Sequence, residues 1–370
     1  MLSNEFDKSE NVANNNIDTE HLMQTQPVSA NSSSRQPVDF DNPTIKTIEE
    51  AGEVLPPAES NLINQICLIS CSAVLGTYLR IILTDATPEG FVTYLTSQFM
   101  GSFVLGFVFN IKDHMNTDIF AGISVGFCGS LTTFSSWQAD IVENLVGVPG
   151  SPASAAGKTY SWFQDQCIGF AVPFAGLTFG KHTSDLLSTQ VSKVLADFSR
   201  SAKRDTREKG LQAVSITLTL GTFAGVIVGV VLAGGILTYA LIFAPAGALL
   251  RFGLSRYLNT LTLNFYWGTF VANVLGSVVL AILFAVSVRN RYSTLGCSAI
   301  WGAEFGFCGS LTTVSTFVNE IHAMPQVKHA YVYGVTSILV TQALLIIIMG
   351  SVVWTMDDPF ADASVCYISK

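Results

Sequence analysis

The octapeptide GFCGSLTT occurs twice in this chain, at Gly126–Thr133 and at Gly306–Thr313. The copies lie 180 positions apart, each inside a long apolar segment. A membrane helix favours Leu, Ile and Val, yet each copy supplies two glycines and two threonines. Glycine costs roughly 1 kcal/mol relative to alanine in a helix, and threonine can turn its hydroxyl onto the backbone. Each copy therefore predicts a helix interrupted near the bilayer centre. Irregular backbone at that depth is tolerated only where protein buries it or where it lines a watery cavity.

The rest of the chain is consistent with a membrane setting. Only 12% of the 370 residues are charged, against roughly 25% in a soluble domain. Residues 1–60 carry eleven acids against three bases, whereas the remainder is balanced. The net charge of −8 thus belongs to a polar, Asn- and Ser-rich tail that is expected to be disordered and cytosolic. No basic face for nucleic acid is visible. Nine apolar segments follow, near 62–83, 92–110, 118–141, 161–180, 211–233, 236–257, 265–288, 296–322 and 330–354. Each is close to the roughly 20 residues that cross a bilayer. Between the fourth and fifth lies a basic loop, 181–210, which the positive-inside rule assigns to the cytosol. Four spans precede it, so the N-terminus is also cytosolic, and an odd total of nine puts the C-terminal tail, 355–370, outside.

The duplication extends well beyond the octapeptides. Gly76-Thr-Tyr-Leu-Arg80 answers Gly247-Ala-Leu-Leu-Arg251, and Gln98-Phe-Met-Gly-Ser102 answers Asn273-Val-Leu-Gly-Ser277. Residues 61–180 and 236–354 are therefore two four-helix repeats, joined by a linker span at 211–235. The single extra crossing inverts the second repeat relative to the first. The fold expected is an all-α integral membrane protein of nine transmembrane helices, with the third helix of each repeat broken at the midplane. In inverted-repeat transporters the site lies at the midplane, where broken helices meet.

Polar groups at depth are concentrated in the second half. Tyr333, Ser337 and Thr341 are spaced four apart and stack three hydroxyls on one helix face. Asn273 adds amide donors. Such a row suits a small, strongly hydrated anion that must exchange its water for protein donors. Six of the seven cysteines sit in apolar runs and read as packing residues. The five histidines (His21, His114, His182, His322 and His329) lie in the tail, in loops or at span ends. No metalloprotease or Ser/His constellation is present at depth, and no phosphate-binding GxxxxGK[ST] loop. The chain is expected to be neither an enzyme nor ATP-driven.

GFCGSLTTFSSW and GFCGSLTTVSTFVNE, together with NVLGS and GALLR, resemble the ordered motifs of the Fluc/CrcB fluoride channels. The resemblance covers about 62–180 and 236–354. It implies a fluoride-selective channel of the fused, two-unit kind, working as a single chain in the lipid of the plasma membrane, with no organic cofactor. It also implies a structural sodium ion held by backbone carbonyls of Gly129, Thr132, Gly309 and Thr312. Carried over by motif, the fluoride pore comprises Asn273, Phe134, Phe317, Tyr333, Ser337, Thr341 and Glu320. The equivalent first-half set is Gln98, Trp137, Val314, Phe163, Cys167, Ala171 and Asp140, most of it without polar character. One working and one vestigial pore are therefore expected. Arg80 and Arg251, at span ends, would either snorkel to headgroups or draw anions into a vestibule. A proton-coupled carrier using Glu320 or Asp140 is the alternative.

Overall fold

The structure, a computed structural model, describes residues 60–88, 92–200, 204–232, 235–289, 292–356 and 366. Apart from its last residue, the acidic tail expected at 1–60 lies outside the described residues, as does most of the C-terminal tail. Every regular element among the described residues is helical. In the first half these are α1 (Leu62–Asp85), α2 (Leu95–Asn110), α3 (Thr117–Ala121), a π-helix π1 (Gly122–Cys128), α4 (Gly129–Leu131), α5 (Phe134–Val146) and α6 (Ala155–Arg200). Next comes α7 (Arg204–Leu232). The second half comprises α8 (Ile236–Leu258), α9 (Trp267–Arg289), α10 (Thr294–Gly302), π2 (Ala303–Cys308), α11 (Gly309–Leu311), α12 (Ser315–Ala323) and α13 (Val327–Thr355).

Six of these runs are long and apolar enough to cross a bilayer: α1, Thr117–Val146, most of α7, α8, α9 and α13. The chain is a multi-pass membrane protein. Three of the nine expected spans do not qualify by length and composition alone. Helix α2 has only 16 residues, α6 contains Pro173 and charged residues, and the α10–α12 run is interrupted.

The break in each third helix is present. Thr132 adopts φ −97°, ψ 146° and Thr312 φ −92°, ψ 155°, both extended, so the helix ladder stops there. Less expected are the π-helical turns just before each break. Such turns are rare and often occur at functional sites. They sit against the first helix of their own half through glycines on both sides of the contact. A Cβ on Gly76 would overlap the Phe127 carbonyl, and one on Gly247 the Phe307 carbonyl. GTYLR and GALLR are thus contact motifs for the π turns.

Two expectations are corrected here. The basic segment 181–210 is not a loop: α6 continues unbroken to Arg200, and α7 begins at Arg204. Residues 181–200 contain no Gly or Pro, and Leu186, Leu187, Val191, Val194, Leu195 and Phe198 recur at helical spacing, so the charges decorate a helix. The linker helix accordingly starts earlier than 211 and ends at Leu232. It docks on α1 and α8. There the Thr219 hydroxyl donates to the Cys67 carbonyl at 3.2 Å, and the Ser215 hydroxyl to Asn64 Oδ1 at 3.3 Å. The cysteines are not all packing residues either: Cys297, in α10, forms a disulfide with Cys366. Cys128 and Cys308, inside the octapeptides, are free and buried as expected.

Candidate ion pathway

The two breaks meet, and each caps the helix that begins in the other half. Thr312 Oγ1 accepts from the Ser135 backbone N–H at 3.1 Å, and Thr132 Oγ1 accepts from that of Ser315 at 3.2 Å. An N-cap hydroxyl normally comes from the same helix, as Thr133 does for Ser136 N–H at 3.4 Å; here the opposite repeat supplies a second one. Each threonine also donates to the carbonyl four residues back, Cys128 or Cys308, at 3.0 Å. The hydroxyls of Ser135 and Ser315 close the cluster at 3.0 and 3.1 Å from Thr312 and Thr132.

Two arginines interlock around this hub. Arg80 is 3% exposed and its Nη2 donates to the Phe305 carbonyl in π2 at 2.5 Å. Arg251 is 2% exposed and donates from Nη2 to the Val125 carbonyl in π1 at 2.8 Å, and from Nε to the Ser310 carbonyl at 3.0 Å. Each guanidinium lies against the opposite octapeptide's glycine, Arg80 on Gly309 and Arg251 on Gly129. Neither snorkels to a headgroup. Both side chains are instead buried, each held on a π-turn carbonyl of the opposite half.

The second-half polar residues gather beside the hub. Asn273 clasps the broken backbone with two bonds: Oδ1 accepts from the Thr313 N–H at 2.8 Å, and Nδ2 donates to the Thr313 carbonyl at 3.2 Å. Glu320 accepts from the hydroxyls of Tyr333 at 2.7 Å and Thr269 at 2.6 Å, and from Asn259 Nδ2 at 3.2 Å. Phe134 and Phe317 meet edge-to-face with centroids 5.3 Å apart, and Phe317 lies 5.2 Å from the Tyr333 ring. Ring edges carry partial positive charge, which suits an anion in a dry passage. The expected donor row differs in one respect. Ser337 donates to the Tyr333 carbonyl and Thr341 to the Ser337 carbonyl, both at 2.7 Å. Their protons are turned onto the helix, so releasing each for an ion gives up a bond worth roughly 0.5–1.5 kcal/mol.

The first-half set is brought together only in part. Gln98 donates to the Thr133 carbonyl at 2.8 Å, but its Oε1 has no partner; the extra methylene loses the second bond that Asn273 makes. Trp137 fills the space opposite Phe134, its indole donating to the Asp165 carbonyl at 3.2 Å. Phe163, Cys167 and Ala171 do not line this side. Phe163 is 61% exposed, and Cys167 and Ala171 are also exposed. The buried positions of α6 include Gln166, Gly169, Pro173, Gly176, Leu177, Gly180 and Ser184, so the inward face lies two residues from the one expected, with Gln166 as its polar member near the hub. Like the residues expected, Gly169, Pro173 and Leu177 offer no side-chain donor.

Thr269 and Asn259 were not anticipated as partners of Glu320. Thr269 lies one turn before Asn273 on the same face of α9, a spacing that could have flagged it. A further polar pair was also missed: Gln342 Nε2 donates to Gln138 Oε1 at 2.9 Å, and Trp162 Nε1 to Gln342 Oε1 at 3.1 Å.

Comparison with known proteins adds a second line of information. A family model described as "CrcB-like protein, Camphor Resistance (CrcB)" matches residues 67–177 and again 238–351. The chain is similar to Fluoride export protein 1 of Neurospora crassa, with 32% identity over 259 residues, covering 64% of this chain and 48% of that protein. It therefore spans about half the length of that relative. Fluoride export protein 1 of Schizosaccharomyces pombe is 29% identical over 304 residues, covering 78% and 95% of the two chains. Over 80 residues, 21% of this chain and 59% of the relative, it is 44% identical to the Fluoride-specific ion channel FluC of Pasteurella multocida. No solved structure matches.

Proposed function

The chain belongs to the CrcB-like family, matched in both of its halves, and on that premise we propose that it exports fluoride from the cytosol as a passive channel rather than as an enzyme. Weak-acid HF crosses a bilayer neutral and ionises inside. A negative-inside potential then drives the anion outward, by roughly 2.3 kcal/mol per 100 mV. The relatives' names, fluoride export proteins and a fluoride-specific ion channel, support the ion and the channel reading. In this proposal the nine helical passes form two inverted repeats in the plasma membrane, with the N-terminus cytosolic and the C-terminus outside.

One observation carries the finer reading, of a single working pathway. The second half contributes Asn273 on the break and a hydrogen-bonded cluster of Tyr333, Thr269 and Glu320, flanked by the Phe134–Phe317 pair. At the matching first-half positions stand a half-satisfied Gln98, the bulk of Trp137, and Gly169, Pro173 and Leu177, with Gln166 as the polar side chain on that face of α6. Fluoride would pass the two ring edges and exchange water for the hydroxyls of Ser337 and Thr341 as these rotate off the backbone.

The residues at the hub also suit a structural sodium ion. Thr132 and Thr312 are extended, which takes their carbonyls out of the helix ladders, and with Gly129 and Gly309 they offer only hard, neutral oxygens. A cation held there would supply positive charge between two helix breaks and take no part in selecting the anion.

The test is fluoride efflux from liposomes carrying the purified chain, followed with a fluoride electrode. Asn273→Asp and Ser337→Ala are expected to lower efflux at least tenfold, while Gln98→Ala stays within about twofold of the parent. Equal losses from both sets would overturn the single-pathway reading. Uptake of protons in step with fluoride would replace the channel with a coupled carrier.

A further inference from the structure

Glu320 puts a carboxylate beside a passage proposed to carry an anion, and it is only 6% exposed. A buried charge of this kind is tolerated where protein donors occupy its oxygens. Two of the donors, the hydroxyls of Thr269 and Tyr333, sit on α9 and α13. The third is Nδ2 of Asn259, at 3.2 Å, just past the end of α8.

The amide of Asn259 can point only one way. Its Oδ1 accepts from the backbone N–H groups of Gly268 at 2.6 Å and Thr269 at 3.3 Å, in the first turn of α9. A flipped amide would set Nδ2 against those two N–H groups, donor against donor. Nδ2 is therefore aimed at Glu320 Oε1, with Thr269 Oγ1 also within reach at 3.4 Å. Close packing brings it there, since a Cβ on Gly268 would overlap the Leu254 carbonyl of α8. One side chain thus joins the end of α8, the start of the helix that carries Asn273, and the carboxylate. The two halves differ at this point. Asn259 stands eight residues past Arg251, whereas eight past Arg80 stands Pro88, whose side chain neither donates nor accepts.

We propose that Asn259 is a positioning residue of the working pathway, holding Glu320 Oε1 so that the carboxylate stays turned onto protein donors and away from the passing ion. Asn259 itself does not touch fluoride. A carboxylate released from it is free to turn into the passage, where its charge repels the anion. This role rests on the fluoride reading proposed above, with Glu320 in the pathway.

The experiment separates capping α9 from holding Glu320. Aspartate caps a helix about as well as asparagine, but it presents a second carboxylate where Glu320 needs a donor. Asn259→Asp in the purified full chain is expected to lower fluoride efflux from liposomes about tenfold. Asn259→Ser keeps a capping oxygen, is too short to reach Glu320 and brings no repulsion; it should lose efflux in the same direction, and it decides the matter if Asn259→Asp does not elute as a single species. Adding Glu320→Gln to Asn259→Asp exchanges amide and carboxylate, restores the bond in reverse, and should raise efflux severalfold above Asn259→Asp alone. Parental efflux in Asn259→Asp or Asn259→Ser would overturn the proposal and leave Asn259 a cap only, and so would an exchange variant no better than Asn259→Asp. A parent chain that passes no fluoride overturns the fluoride reading itself, and this role with it, before any variant is compared.

Discussion

Thr132 and Thr312 each do two jobs with one oxygen, capping a helix of the opposite half while donating to a carbonyl of their own. Thr132→Val keeps the shape and removes the hydroxyl, leaving the Ser315 N–H short of a partner, while the Cys128 carbonyl retains the Thr132 N–H and the Ser315 hydroxyl. The expected cost is about 1–3 kcal/mol, seen as a lower thermal midpoint in detergent, and Thr132→Ser should restore most of it. At this scale the sequence was partly legible. Glycines and threonines at mid-span announced a break and an unusual use of hydroxyls. Which hydroxyl met which backbone was not, because the partners lie about 180 residues apart and only packing of the halves brings them together. The arginines show the same limit. Arg80 and Arg251 occupy ends of apolar segments, where a headgroup is the ordinary partner, and only the folded chain offers them the π-turn carbonyls.

At the scale of elements, apolar length marked six helices able to cross a bilayer, and the break in each third helix followed from composition. The π turns did not, since a one-residue change of hydrogen-bond register leaves no mark on hydrophobic spacing. The charged stretch after 180 also misled: charge density resembles a loop, whereas a run without Gly or Pro keeps its helix. Matching the last helices by sequence alone put Phe163, Cys167 and Ala171 inward, two residues out of register, because α6 and α13 share too few side-chain types to align. Burial resolves this and yields a paired test. A Cβ on Gly169 would overlap the Trp137 indole, so Gly169→Ala is expected to reduce the yield of monodisperse protein severalfold. Cys167→Phe, on the exposed face of the same helix, should leave it unchanged. Size-exclusion profiles of the two variants make the comparison directly.

For the whole molecule, the duplicated plan was read from the chain, while the mutual dependence of the halves was not. The guanidinium of each half donates to one π-turn carbonyl of the other, in addition to the exchanged caps. A first half made alone, residues 1–203, would bury Arg80 against nothing and is expected to aggregate or be degraded. Co-expression with residues 204–370 should rescue it, detectable as co-purification of the two pieces in detergent. The crossed arginines also bear on how the molecule can move. Swinging one half against the other would pull both guanidiniums off the opposing π turns at once and expose the exchanged caps. A hydrogen bond to a charged group is worth roughly 1.5–3 kcal/mol, and a swing would break one on each side in every cycle. A rocking carrier would thus have to break its own fastening at each turnover, whereas an ion moving through fixed halves leaves it closed.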